Sequence, residues 1–216
     1  YNEDQGAAYI VYGSGDDRPP AVDIDDEVAA GRATLITGAA FTALGNEVSG
    51  GDFNGDGLKD IALSANVGAT EATVVIFGAA SLPGQTIDPS SVDGTNGFVA
   101  VGNAAPEAFG FKVSFIGDIN DDGLDDLAIA AQATDGLGSF NNGAVYVLFG
   151  TATGLSPLVN VSNPSGTDGF VLRGFGGEAL GRWIEAAGDV NNDGVDDFLV
   201  SADRSVDGSQ GVTYVV

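Results

Sequence analysis

Hydrophobic and polar positions alternate in blocks along this chain of 216 residues. Short runs of Val, Ile, Leu, Phe and Tyr are bounded by stretches rich in Gly, Asn and Asp. No run shows a sustained helical period, and β-branched or aromatic runs between turn residues are typical of strands. The pattern therefore predicts an all-β fold.

An acidic nonapeptide occurs three times in the chain. It begins at residues 52, 118 and 189 and reads DFNGDGLKD, DINDDGLDD and DVNNDGVDD. An apolar run follows each copy, and a closing run such as VVIFG at 74–78 ends each unit. A further copy of the closing run, AYIVYG, lies at 8–13. Such recurrence indicates a repeat architecture.

Each unit offers about four short strands, which is typical of a β-propeller blade. In the middle unit we expect them at 97–102, 110–116, 126–131 and 143–149. The chain then forms a partial ring of about three antiparallel blades plus one strand of a preceding blade, together one fragment of a propeller domain. The predicted boundaries are 1–13 for that closing strand and 31–78, 97–150 and 168–216 for the blades. A β-sandwich is the alternative.

The nonapeptide has the residue types of a calcium loop. Positions 1, 3, 5 and 9 are Asp, Asn, Asp and Asp in every copy, and position 6 is Gly. Ca²⁺ takes six to eight oxygen ligands, alternate positions of a tight turn point to one centre, and Gly permits the bend. We expect three Ca²⁺ sites, with position 7 adding its carbonyl. The predicted ligands are Asp52, Asn54, Asp56, Leu58, Asp60, Asp118, Asn120, Asp122, Leu124, Asp126, Asp189, Asn191, Asp193, Val195 and Asp197.

Two other interpretations of the nonapeptide compete with this one. An EF-hand needs a bidentate Glu at position 12, but the chain has Leu63, Ile129 and Val200 there, each within an apolar run. Acidic turns without an ion are the other alternative, since Asp, Asn and Gly favour turns. Three copies with the same four oxygen positions favour the ion.

The order of motifs resembles a known repeat. Phe109-Gly110 precedes the middle nonapeptide, Leu44-Gly45 and Leu180-Gly181 precede the others, and degenerate segments such as Ser64-Ala65-Asn66 follow. This order resembles the FG-GAP repeat of integrin α propellers and of many secreted bacterial proteins. The resemblance implies a calcium-stabilised propeller, and such propellers usually have seven blades. It covers nearly the whole chain.

The charge and composition exclude several functions. The formal net charge is −24, from seven basic and 31 acidic residues, so nucleic acid and direct membrane insertion are disfavoured as partners. The chain has no His or Cys, which removes imidazole bases and thiolate metal sites. We therefore predict no catalytic residues and no enzyme. The chain starts at Tyr1 and stops within an apolar run, so we expect a piece of a longer protein.

The favoured function is a calcium-stabilised extracellular module for adhesion or protein interaction. Open loops of this type need the calcium concentrations found outside cells, which favours a secreted or cell-surface location. Its partner would be a protein or glycan ligand at a surface. One alternative is a subunit of a surface layer or filament in which sister chains complete the propeller. Another is the non-catalytic or binding part of a secreted hydrolase or lyase.

A few residues outside the predicted ligands have two interpretations. Trp183, the single Trp, is predicted to pack within a blade, with a ligand-contact surface as the alternative. Arg182 is expected to be solvated rather than paired. We expect Asp121, Asp125 and Asp196 to face solvent and to raise the local negative potential.

Overall fold

A computed structural model describes residues 6–15, 19–102, 108–133, 142–175, 177–203 and 210–216. Residues 1–5 of the predicted closing strand lie outside this part. Almost every element is a strand, apart from the α-helix α1 at Ile24–Ala29 and a 3₁₀ turn at Pro89–Ser91. The strands are β1 Ala8–Val11, β2 Ala33–Ile36, β3 Phe41–Thr42, β4 Val48–Gly51, β5 Asp60–Val67, β6 Thr70–Ile76, β7 Thr86–Ile87, β8 Gly97–Val101, β9 Phe109–Gly117, β10 Asp126–Ala131, β11 Ala144–Leu148, β12 Leu158–Asn160, β13 Gly169–Arg173, β14 Leu180–Gly188, β15 Asp197–Ala202 and β16 Val212–Val215.

In the described ranges the strands form four sheets, which follow one another in chain order. The first contains β1, β2 and β7, and the second contains β3 to β6 with β8 and β12. The third is β9-β10-β11-β13 in antiparallel order, and the fourth is β14-β15-β16. In the second sheet β3 and β4 both pair with β5, so together they take the place that the single long strand β9 has in the third sheet. The all-β fold class and the blades of a partial propeller are confirmed.

The sheets are offset by one strand from the expected grouping. Strand β8 pairs antiparallel with β6 of the preceding unit, and β13 likewise pairs with β11. The strand expected at 97–102 therefore ends the second sheet and does not begin the third. The physical reason is that Phe98 on β8 packs against Phe53 and Phe77, which follow strands β4 and β6 of the second sheet. An apolar run in a sequence indicates a strand, but it does not identify the strand's partner.

The connections before β8 and β13 tie neighbouring sheets together. Each contains a short strand that pairs in parallel with the outer strand of the preceding sheet, β7 with β2 and β12 with β8. Further hydrogen bonds extend these pairings, from Thr37 N to Ile87 O and from Val161 N to Val101 O, both 3.0 Å. Each connection thus covers an edge that would otherwise be exposed.

Among the described residues the core consists of three apolar clusters, each between two successive sheets. The cluster between the second and third sheets contains Phe98, Phe109 and Tyr146, all buried. Its aromatic rings are close, with 5.7 Å between the centroids of Phe109 and Tyr146. The second cluster joins the first and second sheets, and the last joins the third and fourth. Packing of consecutive sheets is therefore what orders the blades, and it brings the three nonapeptides to neighbouring positions.

The structure also bears on a membrane-spanning role. Within the described ranges, no helix has the length and apolar character needed to cross a bilayer.

Candidate cation-binding loops

Each of the three nonapeptides connects two antiparallel strands of its own sheet. They lie between β4 and β5, between β9 and β10, and between β14 and β15. We call them loop 1 (52–60), loop 2 (118–126) and loop 3 (189–197). A helical calcium hand is incompatible with this setting, because strands flank each loop.

Loop 1 is held by hydrogen bonds from its own backbone to the predicted ligand side chains. Asp52 accepts at Oδ1 from Gly55 N at 2.8 Å and at Oδ2 from Gly57 N at 3.0 Å. Asn54 Oδ1 accepts from Asp56 N at 2.9 Å, and Asp56 Oδ1 accepts from Leu58 N at 2.8 Å. The side chains at positions 1, 3 and 5 therefore turn towards the inside of the loop.

Loops 2 and 3 repeat this arrangement, except that Oδ1 of position 1 accepts from the N–H of position 5 and not of position 4. Asp118 Oδ2 accepts from Gly123 N at 2.7 Å, and Asp189 Oδ2 accepts from Gly194 N at 2.9 Å. The bonds from positions 5 and 7 to the side chains of positions 3 and 5 recur as well, at 2.8–3.0 Å. Position 4 is left-handed in each loop and is occupied by Gly55, Asp121 or Asn192. Asp and Asn tolerate that conformation better than other side chains, which explains the variation.

The carboxylates at position 9 differ from the others because two of them are buried. Asp60 accepts from Phe53 N at 2.9 Å and from Gly78 N at 2.8 Å, and Asp126 accepts from Ile119 N and Gly150 N. Burial raises the pKa of both Asp60 and Asp126 to about 6, against the opposing effect of these hydrogen bonds. Asp197 is only half-buried and accepts from Val190 N at 2.8 Å.

The donor set of each loop fits a hard cation. It is made only of oxygens, from three carboxylates, one amide and one backbone carbonyl, which is the chemistry that Ca²⁺ prefers. Two of the position 9 carboxylates are also buried, where a cation would offset the cost of their charge. In the described part of the chain, no three Asp or Glu side chains have the spacing of a formed metal site. The three calcium sites and their ligands therefore stay predictions.

Two residues at position 8 have a role that the sequence analysis missed. Asp125 Oδ2 accepts from Asp52 N at 2.7 Å, and Asp125 N donates to Asp52 O at 3.0 Å. Asp196 makes the same two bonds with Asp118, at 3.2 and 3.1 Å. We call each set an inter-loop pair. The expectation that Asp125 and Asp196 face solvent is wrong, because these carboxylates bind the backbone of the preceding loop.

A faint signal for these contacts was present in the sequence. Position 8 is Asp in loops 2 and 3, which each follow another loop, but Lys59 in loop 1. Lys59 Nζ in turn contacts Asp125 Oδ2 at 2.7 Å.

Trp183 lies in a different environment from the one predicted. It is 62% exposed, so the prediction that it packs within a blade is wrong. Lys112 Nζ lies 5.1 Å from the centre of its ring, and the guanidinium carbon of Arg182 lies 5.5 Å from that of Phe111. Arg182 is also paired with Asp203 at 3.4 Å rather than only solvated. These side chains project from β9 and β14, after the Phe-Gly and Leu-Gly pairs.

Comparison with known proteins agrees with this geometry. The family model described as FG-GAP repeat matches residues 109–148 and 182–216, which include loops 2 and 3. Integrin alpha-PS5 of Drosophila melanogaster is 28% identical over 165 residues, covering 73% of this chain and 15% of that protein. Integrin alpha-4 of Xenopus laevis is 28% identical over 161 residues, covering 73% of this chain and 14% of that protein.

A third relative extends the match. Integrin alpha-PS2 of Drosophila melanogaster is 29% identical over 176 residues, covering 80% of this chain and 11% of that protein. The chain thus spans about a seventh or less of the length of these relatives. Residues 109–148 and 182–216 thus match the FG-GAP repeat, and together with the similarity to integrin α chains these matches support an FG-GAP domain of the integrin α type.

Proposed function

We propose that the chain is a calcium-stabilised, extracellular β-propeller module that serves adhesion or protein interaction. The observation that carries this proposal is the threefold loop, in which the same four side-chain oxygen positions recur at the same strand connection. Each of the units 31–78, 97–150 and 168–216 would hold one Ca²⁺. The ion would be structural, and no step of catalysis is assigned to it.

The electrostatics explain why an ion would stabilise the fold. Three to five carboxylates within nine residues repel one another, and Asp60 and Asp126 are fully buried. Among the residues described, neither forms an ion pair with Lys or Arg. A divalent cation bound to the folded loop but not to the unfolded chain would shift the equilibrium towards the folded state.

Three observations support the setting and the type of partner. The acidic surface, with a net charge of −24, suits a protein that captures divalent cations at the millimolar concentrations outside cells. The matched relatives are integrin α chains. Large side chains such as Trp183 and Phe175 are exposed, which is typical of surfaces that contact a protein or a glycan.

Calcium titration with two adjacent variants tests the proposal. We expect Ca²⁺ to raise the melting temperature, chelator to lower it, and isothermal titration calorimetry to count three sites. Asp122→Asn removes a predicted ligand and should remove one site. Asp121→Asn is the matched control, because it removes the same charge at a position where loop 3 already has Asn192. A melting temperature indifferent to both Ca²⁺ and chelator would refute the proposal.

A second candidate function is a subunit of a surface layer or filament. An apolar groove between β1 and β4 favours it, because Tyr9, Val11 and Val48 line the groove and are exposed. A sister chain seated there would give a concentration-dependent oligomer in light scattering, whereas a monomer at high concentration would count against this function.

A further inference from the structure

The inter-loop pair occurs at both junctions between the loops. In each case the position 8 carboxylate accepts from the N–H of position 1 in the preceding loop, and the position 8 N–H donates to the carbonyl of that same residue. Position 1 is Asp52 or Asp118, whose side chain is a predicted cation ligand. The bonds therefore hold the main chain of a ligand residue from a neighbouring sheet.

Close packing surrounds these hydrogen bonds. A Cβ on Gly117, the residue before Asp118, would lie 2.2 Å from Asp196 Oδ2, so the carboxylate sits directly on the backbone. At the first junction a Cβ on Gly55 would lie 2.5 Å from Leu124 Cδ2, and Thr151 N donates to Phe53 O at 2.9 Å. One loop cannot move far without displacing the next.

We propose that Asp125 and Asp196 are positioning residues that couple cation binding in neighbouring loops. A cation in loop 2 would order positions 1 to 9 of that loop, including Asp125, and this would fix Asp52 in the orientation that loop 1 needs. Loop 3 would act on Asp118 through Asp196 in the same way. Binding that has already ordered one loop lowers the entropic cost of the next, and the coupling is reciprocal. The inference rests on the proposed calcium binding.

The two junctions are not equivalent, which provides an internal check. At the first, Lys59 Nζ lies 2.7 Å from the same Asp125 Oδ2 that accepts from Asp52 N. At the second, the residue that corresponds to Lys59 is Asp125 itself, an acid. Removal of the Asp125 carboxylate therefore eliminates the side-chain bond of an inter-loop pair and an ion pair, whereas removal of the Asp196 carboxylate eliminates the side-chain bond alone.

Calorimetric calcium titration of the complete chain tests the coupling. The unsubstituted chain should bind Ca²⁺ with a Hill coefficient above 1. The variant Asp125→Ala/Asp196→Ala should bring it to 1 and weaken the mean affinity by about five-fold or more, the low end of typical coupling. Asp125→Asn/Asp196→Asn keeps an acceptor oxygen and should restore cooperativity. Asp121→Asn removes charge without touching either pair and should leave the Hill coefficient unchanged.

Amide hydrogen exchange in calcium-free buffer provides a second measurement that does not require a bound ion. Asp125→Ala should accelerate exchange of the Asp52 amide, and Asp196→Ala that of the Asp118 amide, each without affecting the other. Three independent calcium sites, or unchanged exchange in both variants, would overturn the inference alone. A chain that binds no calcium would overturn the proposed function together with it, so the two failures are distinguishable.

Discussion

Loops 1 and 3 have the same motif but different surroundings. Position 2 is Phe53 in loop 1, which is fully buried, and Val190 in loop 3, which is 58% exposed. Position 9 follows the same trend, since Asp60 is buried and Asp197 only half-buried. The bonds from the N–H groups of positions 5, 6 and 7 to the side chains of positions 3, 1 and 5 are nevertheless common to both loops. The nonapeptide thus determines the turn, whereas the next sheet determines how deeply the turn is buried.

Truncation of the side chain at position 2 should give the largest difference in unfolding free energy between the two loops. Phe53→Ala empties a site in the core cluster where the ring lies 5.3 Å from that of Phe98, and it should cost about 3–5 kcal/mol of unfolding free energy. Val190→Ala changes an exposed side chain and should cost less than about 0.5 kcal/mol. Urea unfolding at one fixed calcium concentration measures both values. Equal losses would show that the two loops have the same surroundings in solution.

The residue before each loop offers a second contrast, between loops 2 and 3. Gly117 and Gly188 both have positive φ, of 85° and 66°. A Cβ at Gly117 meets Asp196 Oδ2, whereas a Cβ at Gly188 has nothing within 4 Å. Gly188→Ala should therefore lower the unfolding free energy by about 1 kcal/mol, because of the left-handed backbone alone. Gly117→Ala should lower it by about 2–3 kcal/mol, because the clash of the new Cβ with Asp196 Oδ2 adds to the backbone strain.

Thermal and urea unfolding of the two alanine variants test this contrast. Gly123→Ala is a further control, because its φ is 88° and its surroundings are open. It should resemble Gly188→Ala. If all three variants lose the same stability, the contact between loops 2 and 3 contributes nothing.

The sequence predicted the local structure better than the long-range pairing. Strands such as β10 and β11 follow from apolar runs between turn residues, and the loops follow from side chains that bond within two to five residues. The sheet that β8 joins depends on hydrogen bonds to β6, which no local pattern encodes. The role of Asp125 was missed for the same reason, because its partner Asp52 belongs to another unit.

Trp183 is a second residue whose surroundings could not be predicted from the sequence. An aromatic residue in a strand was predicted to pack within a blade, because strands with aromatic residues usually have a buried face. In the structure β14 alternates buried and exposed positions irregularly, and its register with β15 shifts between Leu180 and Ile184. Trp183 lies within this register shift, exposed and beside Lys112 of the third sheet, and the shift depends on the neighbouring strand.

A small effect is expected from Lys59, which distinguishes the first junction from the second. Its ammonium is on a side chain that is 67% exposed, and its partner Asp125 is 25% exposed, so solvent screens most of the attraction. Lys59→Ala should cost about 0.2–1 kcal/mol at low salt and close to nothing at about 1 M salt. A double-mutant cycle with Asp125→Asn isolates the pair energy. A pair energy that persists at high salt would mean that Lys59 does more than form an exposed ion pair with Asp125. The two junctions would then differ in mechanism as well as in charge.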